Sequence, residues 1–321
     1  MGGCARGSSC VLALALLVGA WPADADGRDA GAWLERMARA MHELAYEGTL
    51  VYAHDGDLES MEVVHGLIDG EEHERLRALS GKPFELIRSG DRVTCVWPAI
   101  RRAMVSRRPE NFLPARPPRE FASLPPLYTA EVAGTTRVAG HVTQGVRVRP
   151  NDAFRYGYRM WLDRDTGLLL RSDMISPAEG VVERFMFTSV KTLEHVDRDR
   201  FRRSLDGMDY VEHGDGTSAD RIEQPQWYVA DLPPGFEAVS HRRKAMPPHG
   251  AAVQHSVYSD GLASVSVFIE PADSDAMPLA GGTRMGAVHA YGLKRAGHQV
   301  TAVGEVPAIT VERIARAVRR R

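Results

Sequence analysis

A histidine, an aspartate and several serines lie close together in the segment HSVYSDGLASVSVFIE, His255 to Glu270. These are the residue types of a hydrolase, which uses a serine nucleophile, a histidine base and an aspartate that orients the histidine. The same segment also fits a β-hairpin, because Asp260-Gly261 is a strong turn signal between two alternating runs. It therefore supports two interpretations, a catalytic site or a strand, a turn and a second strand.

The hairpin is the better interpretation. Ser264 and Ser266 alternate with valines, which is the period-two pattern of a sheet face, whereas a nucleophilic serine normally occupies a sharp turn. The chain contains no HExxH, CxxC or Gly-x-Ser-x-Gly motif and no phosphate-binding glycine loop. We therefore predict a protein that is not an enzyme and that has neither a metal site nor a cofactor.

The first 25 residues predict a secretory signal peptide. Arg6 precedes an unbroken apolar run from Val11 to Ala20, and Ala23-Asp24-Ala25 fits a signal-peptidase site. Ten apolar residues are too few to anchor a helix in a bilayer. We therefore expect a soluble, exported protein that begins near Asp26.

Composition sets limits on the remaining function classes. The 321 residues are 26% charged and 44% hydrophobic, as in a soluble globular protein, and the length favours two domains. The 40 basic and 42 acidic residues give a net charge of −2, so nothing indicates a nucleic-acid partner. Cys95 is the one cysteine after the signal peptide, and its apolar surroundings predict a buried side chain.

An amphipathic helix is predicted at the start of the exported chain, in AWLERMARAMHELAYEG. Trp33, Met37, Met41 and Leu44 recur at helical spacing, and Gly48 is the expected stop. From there to about residue 190 the pattern changes to short strands separated by tight turns, which favours an antiparallel, meandering sheet. Its clearest hairpin is predicted at 156–175, with the turn at 163–167.

One long segment interrupts this pattern, Ala99 to Tyr128. Its six prolines exclude a regular sheet over its length. Two interpretations remain, a proline-rich loop that apolar side chains pin to the core, and a lid over an apolar cavity.

Two domains and a linker are predicted. The first domain covers 26–205, a polar, Gly- and Asp-rich linker covers 206–224, and a second domain covers 225–321. The second domain contains the hairpin described above and a final helix that we expect Thr310 to cap. Between them we predict a further hairpin that turns near Ala296-Gly297, although its first half also fits a helix.

Six segments in a fixed order carry a family resemblance. They are YEGTLVY (46–52), GDRVTCVWP (90–98), YGYRMWLDRDTGLLLRSD (156–173), DLPPGF (231–236), HSVYSDGLASVSVF (255–268) and VTAVGEVP (300–307). With these matches the chain resembles the MucB/RseB family, periplasmic regulators of the sigma-E envelope-stress response. The segments Ala99–Tyr128 and Arg319–Arg321 match no pattern of the family that we identify.

The resemblance implies a fold and a function. The fold is mainly β, with an N-terminal LolA-like unclosed half-barrel that has helices on its concave face, and a smaller C-terminal antiparallel sheet with a helix. The implied function is to bind the periplasmic segment of a membrane-anchored anti-sigma factor of the MucA/RseA type. We expect the second domain, 225–321, to make that contact and the first domain, 26–205, to sense lipid. That binding shields the segment from site-1 proteolysis until lipopolysaccharide or a related lipid releases the regulator.

Candidate lipid-binding residues follow from chemistry, because no motif of the family fixes them. Aromatic side chains could line an acyl-chain cavity, and arginines of the loop could meet lipid phosphates. The candidates are Trp97, Phe112, Phe121, Tyr128, Trp161, Arg101, Arg102, Arg107 and Arg108. Each has a simpler explanation, as plain core for the aromatic residues and as a solvated loop for the arginines.

Two other functions stay open at this stage, together with a homo-oligomeric state. A periplasmic lipoprotein or lipid carrier of the LolA type would use the same half-barrel, although it would not need the second domain. An enzyme would need His255, Ser259 and Asp260 to converge, which is awkward if Asp260 lies in a turn.

Overall fold

The structure is a computed structural model. It describes residues 29–107, 126–202, 207–213, 220–246, 251–272 and 279–321. The predicted signal peptide and the candidates Phe112, Phe121 and Arg108 lie outside these residues. Over the described ranges, neither of the two α-helices has the length and apolar character needed to cross a membrane.

Helix α1 spans Ala30–Glu43. It begins where the Asp29 carboxylate accepts a hydrogen bond from the main-chain N–H of Gly31 at 2.8 Å. Trp33, Met37 and Met41 are buried, as the helical spacing predicts. The helix ends earlier than expected, because the chain is already extended at Ala45.

Twelve strands form the first sheet. They are β1 Ala45–His54, β2 Asp57–Ile68, β3 Glu71–Ala78, β4 Glu85–Ser89, β5 Arg92–Trp97, β6 Arg102–Arg107, β7 Tyr128–Val138, β8 His141–Pro150, β9 Gly157–Asp163, β10 Leu169–Ser176, β11 Gly180–Leu193 and β12 Asp209–His213. The order across the sheet is β12-β6-β5-β4-β3-β2-β1-β11-β10-β9-β8-β7, so the two end strands do not pair and the sheet is open. All neighbours are antiparallel except β12 and β6, which run parallel.

Two expectations about this sheet need correction. Gly48 does not stop a helix; it lies inside β1, where it pairs with Val190. The segment Ala99–Tyr128 is not irregular throughout, because Arg102–Arg107 forms β6 against β5. The prolines begin only at Pro109, so they leave the first part of the segment free to pair.

The second sheet contains seven strands in the order β13-β15-β16-β17-β20-β19-β18. Their bounds are β13 Asp220–Arg221, β15 Glu237–Met246, β16 Ala251–Ser259, β17 Ser264–Pro271, β18 Gly281–Met285, β19 Val288–Arg295 and β20 His298–Gly304. Both predicted hairpins, β16–β17 and β19–β20, are confirmed. The predicted linker contributes one strand to each sheet, β12 to the first and β13 to the second.

A short two-stranded sheet and a helix complete the second part of the chain. Strand β14, Trp227–Val229, pairs with β21, Val318–Arg320, and helix α2 spans Ala308–Arg316. Thr310 does not cap this helix, which begins after Pro307. The Thr310 hydroxyl instead donates to the Phe154 carbonyl of the first sheet's β8–β9 loop at 2.7 Å.

Each sheet has its own apolar core. In the first, buried side chains of α1 pack on one sheet face with residues such as Leu50, Val93, Met160 and Phe187. In the second, α2 covers residues such as Val265 and Val300. The predicted fold class is therefore confirmed: a mainly β protein with a large open sheet that carries a helix, and a smaller antiparallel sheet with a helix of its own.

Candidate functional site

The sequence-predicted lipid residues near β5 and β6 lie at one side of the first sheet. Trp97 is partly buried, with its ring 5.6 Å from that of Phe84. Arg101 follows with a φ of 50° and donates to the Gly207 carbonyl from Nε at 3.0 Å and Nη2 at 2.6 Å. Arg102 is exposed and lies opposite Trp97 in the β5–β6 pairing, and Arg107 is the last residue of β6.

The other two aromatic candidates lie at the far side of the same sheet. Six strands separate β9, which carries Trp161, from β5, which carries Trp97. Trp161 also alternates with the core residue Met160, so its side chain is on the opposite pleat, where the Arg171 guanidinium stacks on it at 4.1 Å. Tyr128, at the start of β7, is buried against the second sheet. The described candidates therefore form two groups, and their role in lipid binding stays a prediction.

Cys95 is buried, as predicted. It lies in β5 and packs in the apolar core of the first sheet. Burial raises the pKa of its thiol, so the neutral form is favoured.

The hairpin that suggested a catalytic site has a four-residue loop, 260–263. Of these residues only Gly261 has a positive φ, 98°, so the turn is not the type I′ turn that Asp260-Gly261 predicts. One Asp260 carboxylate oxygen, Oδ1, accepts hydrogen bonds from the main-chain N–H groups of Leu262 at 2.9 Å and Ala263 at 2.7 Å. These two hydrogen bonds close the loop. Asp260 itself therefore does not need the positive φ that a two-residue type I′ turn would require.

The hydroxyl and the imidazole of this hairpin have structural partners. Ser259 Oγ donates to the Ala263 carbonyl at 2.8 Å, inside the same loop. The His255 ring stacks on Phe268 with centroids 4.4 Å apart, and its Nε2 lies 3.0 Å from Ser266 Oγ on the neighbouring strand. The Ser259 proton is therefore used within the turn, as in an ordinary hairpin.

The second oxygen of Asp260 joins the two sheets. It lies 3.0 Å from Nη1 of Arg155, which belongs to the β8–β9 loop, and both side chains are fully buried. Tyr128 donates its hydroxyl to the same oxygen at 3.2 Å. The Arg155 guanidinium also donates to the Pro234 carbonyl at 2.6 Å and stacks on the Phe236 ring at 5.2 Å. A buried charge needs such a set of partners, because isolation in a low-dielectric interior is costly.

A second group of contacts joins the sheets through the turn between β18 and β19. Tyr156 donates to the Ala287 carbonyl at 3.1 Å, and its hydroxyl lies 3.1 Å from His289 Nδ1. The Ala287 N–H donates to the carboxylate of Glu183 in β11 at 2.7 Å. The neighbouring Gly286 N–H donates to Asp55, in the β1–β2 turn, at 2.5 Å. The β18–β19 turn is thus held by two carboxylates of the first sheet.

Glu305, in the β20–α2 connection, adds a third carboxylate at this junction. The residue is exposed, although the protein atoms around its carboxyl group still desolvate it. This desolvation, and then the charge of Glu183, raise the pKa of Glu305 to about 7. Burial is also the main cause that raises the pKa values of the nearby Tyr52, Tyr156 and Tyr158.

A cleft of ≈520 Å³ opens beside these contacts. Its walls come from the β1–β2 turn, the β10–β11 turn and the β18–β19 turn, so both sheets contribute. It combines charged side chains such as Asp55, Glu179 and Arg284 with apolar ones, Leu58 and Val181, that are 66% and 40% exposed. Over the described ranges, no group of three or more His, Cys, Asp or Glu side chains could hold a metal ion. The cleft is chemically suited to a segment of another chain that carries both apolar and charged groups.

Sequence reasoning missed Arg155, Glu183 and Glu305. Arg155 and Glu183 contact residues that are more than a hundred positions away in the chain. Glu305 is equally far in sequence from Glu183, whose charge adds to desolvation in raising its pKa. No local motif marks such residues, because a single charged side chain in a loop or at a strand end is normally solvated. Asp260 was visible, but only as a turn residue.

Comparison with known protein families matches both parts of the chain to domains of one family. Residues 29–205 match the MucB/RseB N-terminal domain family, and residues 221–319 match the MucB/RseB C-terminal domain family. The chain is 32% identical over 298 residues to the sigma factor AlgU regulatory protein MucB of Pseudomonas aeruginosa, covering 91% of both chains. It is 27% identical over 312 residues to the sigma-E factor regulatory protein RseB of Haemophilus influenzae, covering 96% of both.

A solved structure agrees with these relatives. The crystal structure of MucB in complex with MucA(peri) superposes with a TM-score of 0.70 at 30% identity, covering 91% of this chain and 99% of that chain. The two chains therefore share their fold over 91% of this one. By both domain matches and by these similarities, the chain belongs to the MucB/RseB family.

Proposed function

We propose that this protein is a periplasmic regulator that binds the periplasmic segment of a MucA/RseA-type anti-sigma factor, shields it from site-1 proteolysis, and releases it when lipopolysaccharide or a related lipid binds. One observation carries the proposal: a chain of the same fold over 91% of this protein forms a complex with MucA(peri). The predicted signal peptide supports a periplasmic location.

The cleft between the sheets is where we place the anti-sigma segment. Leu58 and Val181 expose apolar side chains at its mouth, which a segment bound there would cover. Charged side chains of both sheets surround it and would set the direction and register of the segment. A segment that spans both sheets would also respond to any change in their arrangement.

A calorimetric titration tests the binding. The exported protein is titrated with a peptide of the periplasmic segment of its anti-sigma factor, and the Leu58→Asp variant is compared with Ile100→Asp. Both side chains are similarly exposed, 66% and 63%, but only Leu58 lines the cleft. We expect Leu58→Asp to weaken binding more than about tenfold, since it buries a charge against apolar groups. Equal affinity of the two variants would place the segment elsewhere.

A proteolysis assay tests the shielding and the release. The site-1 protease cleaves the anti-sigma segment alone, and we expect the regulator to slow this cleavage and added lipopolysaccharide to restore it. Linkage requires that lipid weakens segment binding by the same factor as the segment weakens lipid binding. If the titration shows no binding and lipid co-purifies with the protein, a lipid carrier is the better explanation.

A further inference from the structure

Three consecutive arginines, Arg319 to Arg321, are held in a defined position on the second sheet's side of the molecule. Strand β21 pairs with β14, so that Arg319 lies opposite Tyr228 and Arg320 opposite Trp227. The Arg321 N–H donates to the Gln226 carbonyl at 2.9 Å and continues this pairing. Val318 and Trp227 are buried beneath it, so an apolar base fixes the strand.

Alternation along β21 puts Arg320 on the face of Trp227 and puts Arg319 and Arg321 on the face of Tyr228. The cations therefore line both faces of this exposed strand, and we call the whole set the arginine surface. It consists of Arg295, Arg319, Arg320, Arg321 and Tyr228. The guanidinium carbon of Arg321 lies 5.6 Å from the exposed Tyr228 ring, and that of Arg320 lies 5.9 Å from the Trp227 ring. The side-chain oxygen of Gln226, in the amide orientation that faces it toward Arg320, accepts hydrogen bonds from Nε at 3.1 Å and from Nη2 at 2.8 Å. Stacking orders the guanidinium groups without neutralising them.

Among the described residues, the hydrogen-bond partners of these arginines are neutral groups. Arg319 donates to the carbonyls of Arg316 and Val318 at 2.8 and 2.9 Å, and Arg295 donates to the Val318 carbonyl at 2.8 Å. Within the part of the chain that the structure describes, no aspartate or glutamate forms an ion pair with the four arginines of the surface.

The neighbouring arginines of α2 differ in this respect. Arg313 pairs with Asp231 and Arg316 pairs with Glu312, each at 2.9 Å. In the described ranges, carboxylates therefore balance the positive charge of the helix but not that of the strand that follows it.

The charge of these arginines helps to lower the pKa values of two neighbouring groups. Burial and then the charge of Arg319 lower the pKa of Arg295, and burial and then the charge of Arg321 lower the pKa of His241. The cations thus repel one another, and an anion that approaches them would relieve this repulsion.

We propose that the arginine surface docks the protein onto a membrane through anionic phospholipid headgroups. Guanidinium groups bind phosphate through paired hydrogen bonds, and an exposed tyrosine beside them suits the headgroup layer, where aromatic side chains concentrate. Headgroups can move to match exposed cations that have no recess around them, whereas an acidic protein segment needs a matching sequence. This surface shares no residue with the cleft, and the proposal does not depend on the proposed anti-sigma binding.

Vesicle co-flotation at low and high salt tests the proposal with the exported protein. One set of vesicles is phosphatidylcholine alone, and the other holds equal parts of phosphatidylcholine and phosphatidylglycerol. We expect binding only to the anionic vesicles, and loss of that binding at high salt because exposed charges are screened. Replacing Arg319, Arg320 and Arg321 by Gln should weaken it about 100-fold, since each basic side chain near an anionic surface contributes roughly fivefold.

Two matched variants keep this test specific. Replacing Arg92, Arg137 and Arg164 of the first sheet by Gln removes the same charge from other exposed positions and should leave vesicle binding within about threefold. Replacing Arg319, Arg320 and Arg321 by Lys keeps the charge and should restore most of the binding, which separates charge from folding.

Two results would overturn the proposal. One is a failure of the unaltered protein to bind anionic vesicles at low salt. The other is a triple Gln variant that binds vesicles normally but loses the anti-sigma segment, since the surface would then be a protein-docking site. Failure of the anti-sigma titration alone leaves the vesicle result unaffected, so the two proposals are tested separately.

Discussion

Asp260 performs two tasks with its two carboxylate oxygens. Oδ1 closes the hairpin loop through two main-chain N–H groups, and Oδ2 faces Arg155 and Tyr128 of the first sheet. A turn residue therefore also connects the sheets. The arrangement explains why an aspartate, and not asparagine, suits this loop: both residues can cap the turn, but only the carboxylate can balance a buried guanidinium.

Asp260→Asn tests the importance of this buried pair. The substitution keeps an oxygen for the turn but leaves Arg155, which is fully buried, with less negative charge around it. We expect the free energy of unfolding, measured by urea denaturation, to fall by about 3 kcal/mol. Asp231→Asn is the control, because Asp231 pairs with Arg313 at the surface and should contribute less than about 1 kcal/mol. Similar losses in the two variants would contradict a special role for Asp260.

At the scale of elements, local signals were enough to predict hairpins but not how the sheets close. The turns at Asp55-Gly56 and Ala296-Gly297 have positive φ at both positions, which an Asp-Gly pair favours and which is uncommon for an alanine such as Ala296. The pairing of β1 with β11 joins residues far apart in the chain, and β12 returns to run parallel to β6. Such pairings depend on which strand edges remain unpaired after the hairpins form. The hydrophobic periodicity of the sequence does not predict which edges these are.

Gly48 illustrates the same limit, and its substitution is a test. A glycine after a helical run predicts a helix end, yet Gly48 lies within β1, where a Cβ would sit 2.3 Å from the Ser189 carbonyl oxygen of β11. The carbonyl belongs to a paired strand and cannot move cheaply. We therefore expect Gly48→Ala to lower Tm by roughly 5 °C, equivalent to about 2 kcal/mol of overpacking.

Gly134→Ala is the matched control for this substitution. Gly134 is also a strand glycine, in β7, but no heavy atom lies within 4 Å of its added Cβ. Its Tm should stay within about 1 °C of the unaltered protein. If both glycine variants unfold at the same temperature, the close approach of β1 and β11 is not a constraint on the fold.

At the scale of the whole molecule, the two sheets form a unit whose stability depends on charge between them. Glu183 and Asp55 hold the β18–β19 turn by their carboxylates, while the Arg155–Asp260 pair holds the hairpin loop. A ligand that changes the distance between the sheets must alter these contacts. Two ligands that both change this distance therefore affect each other's binding, and each changes the other's affinity by the same factor.

The pKa of Glu305 makes this unit sensitive to pH, and the direction follows from linkage. Desolvation and Glu183 raise the pKa of Glu305 from its ordinary 4.5 to about 7. The folded protein therefore binds more protons than the unfolded chain between these two values, so the free energy of unfolding decreases as pH rises from 4.5 to 7. Tyr52, Tyr156 and Tyr158, which face the same region, have raised pKa values and stay neutral throughout.

Glu305→Gln should remove this contribution, because the amide is neutral at every pH and cannot repel Glu183. We expect the variant to be more stable than the unaltered protein at pH 8, where Glu305 is ionised, and close to it at pH 5, where Glu305 is protonated. Urea denaturation across this range measures the difference. Glu237→Gln, an exposed position on the second sheet, should follow the unaltered protein at every pH. A Glu305→Gln variant that is less stable at pH 8 would mean that the ionised carboxylate stabilises the junction, and that protonation, not ionisation, loosens the two sheets.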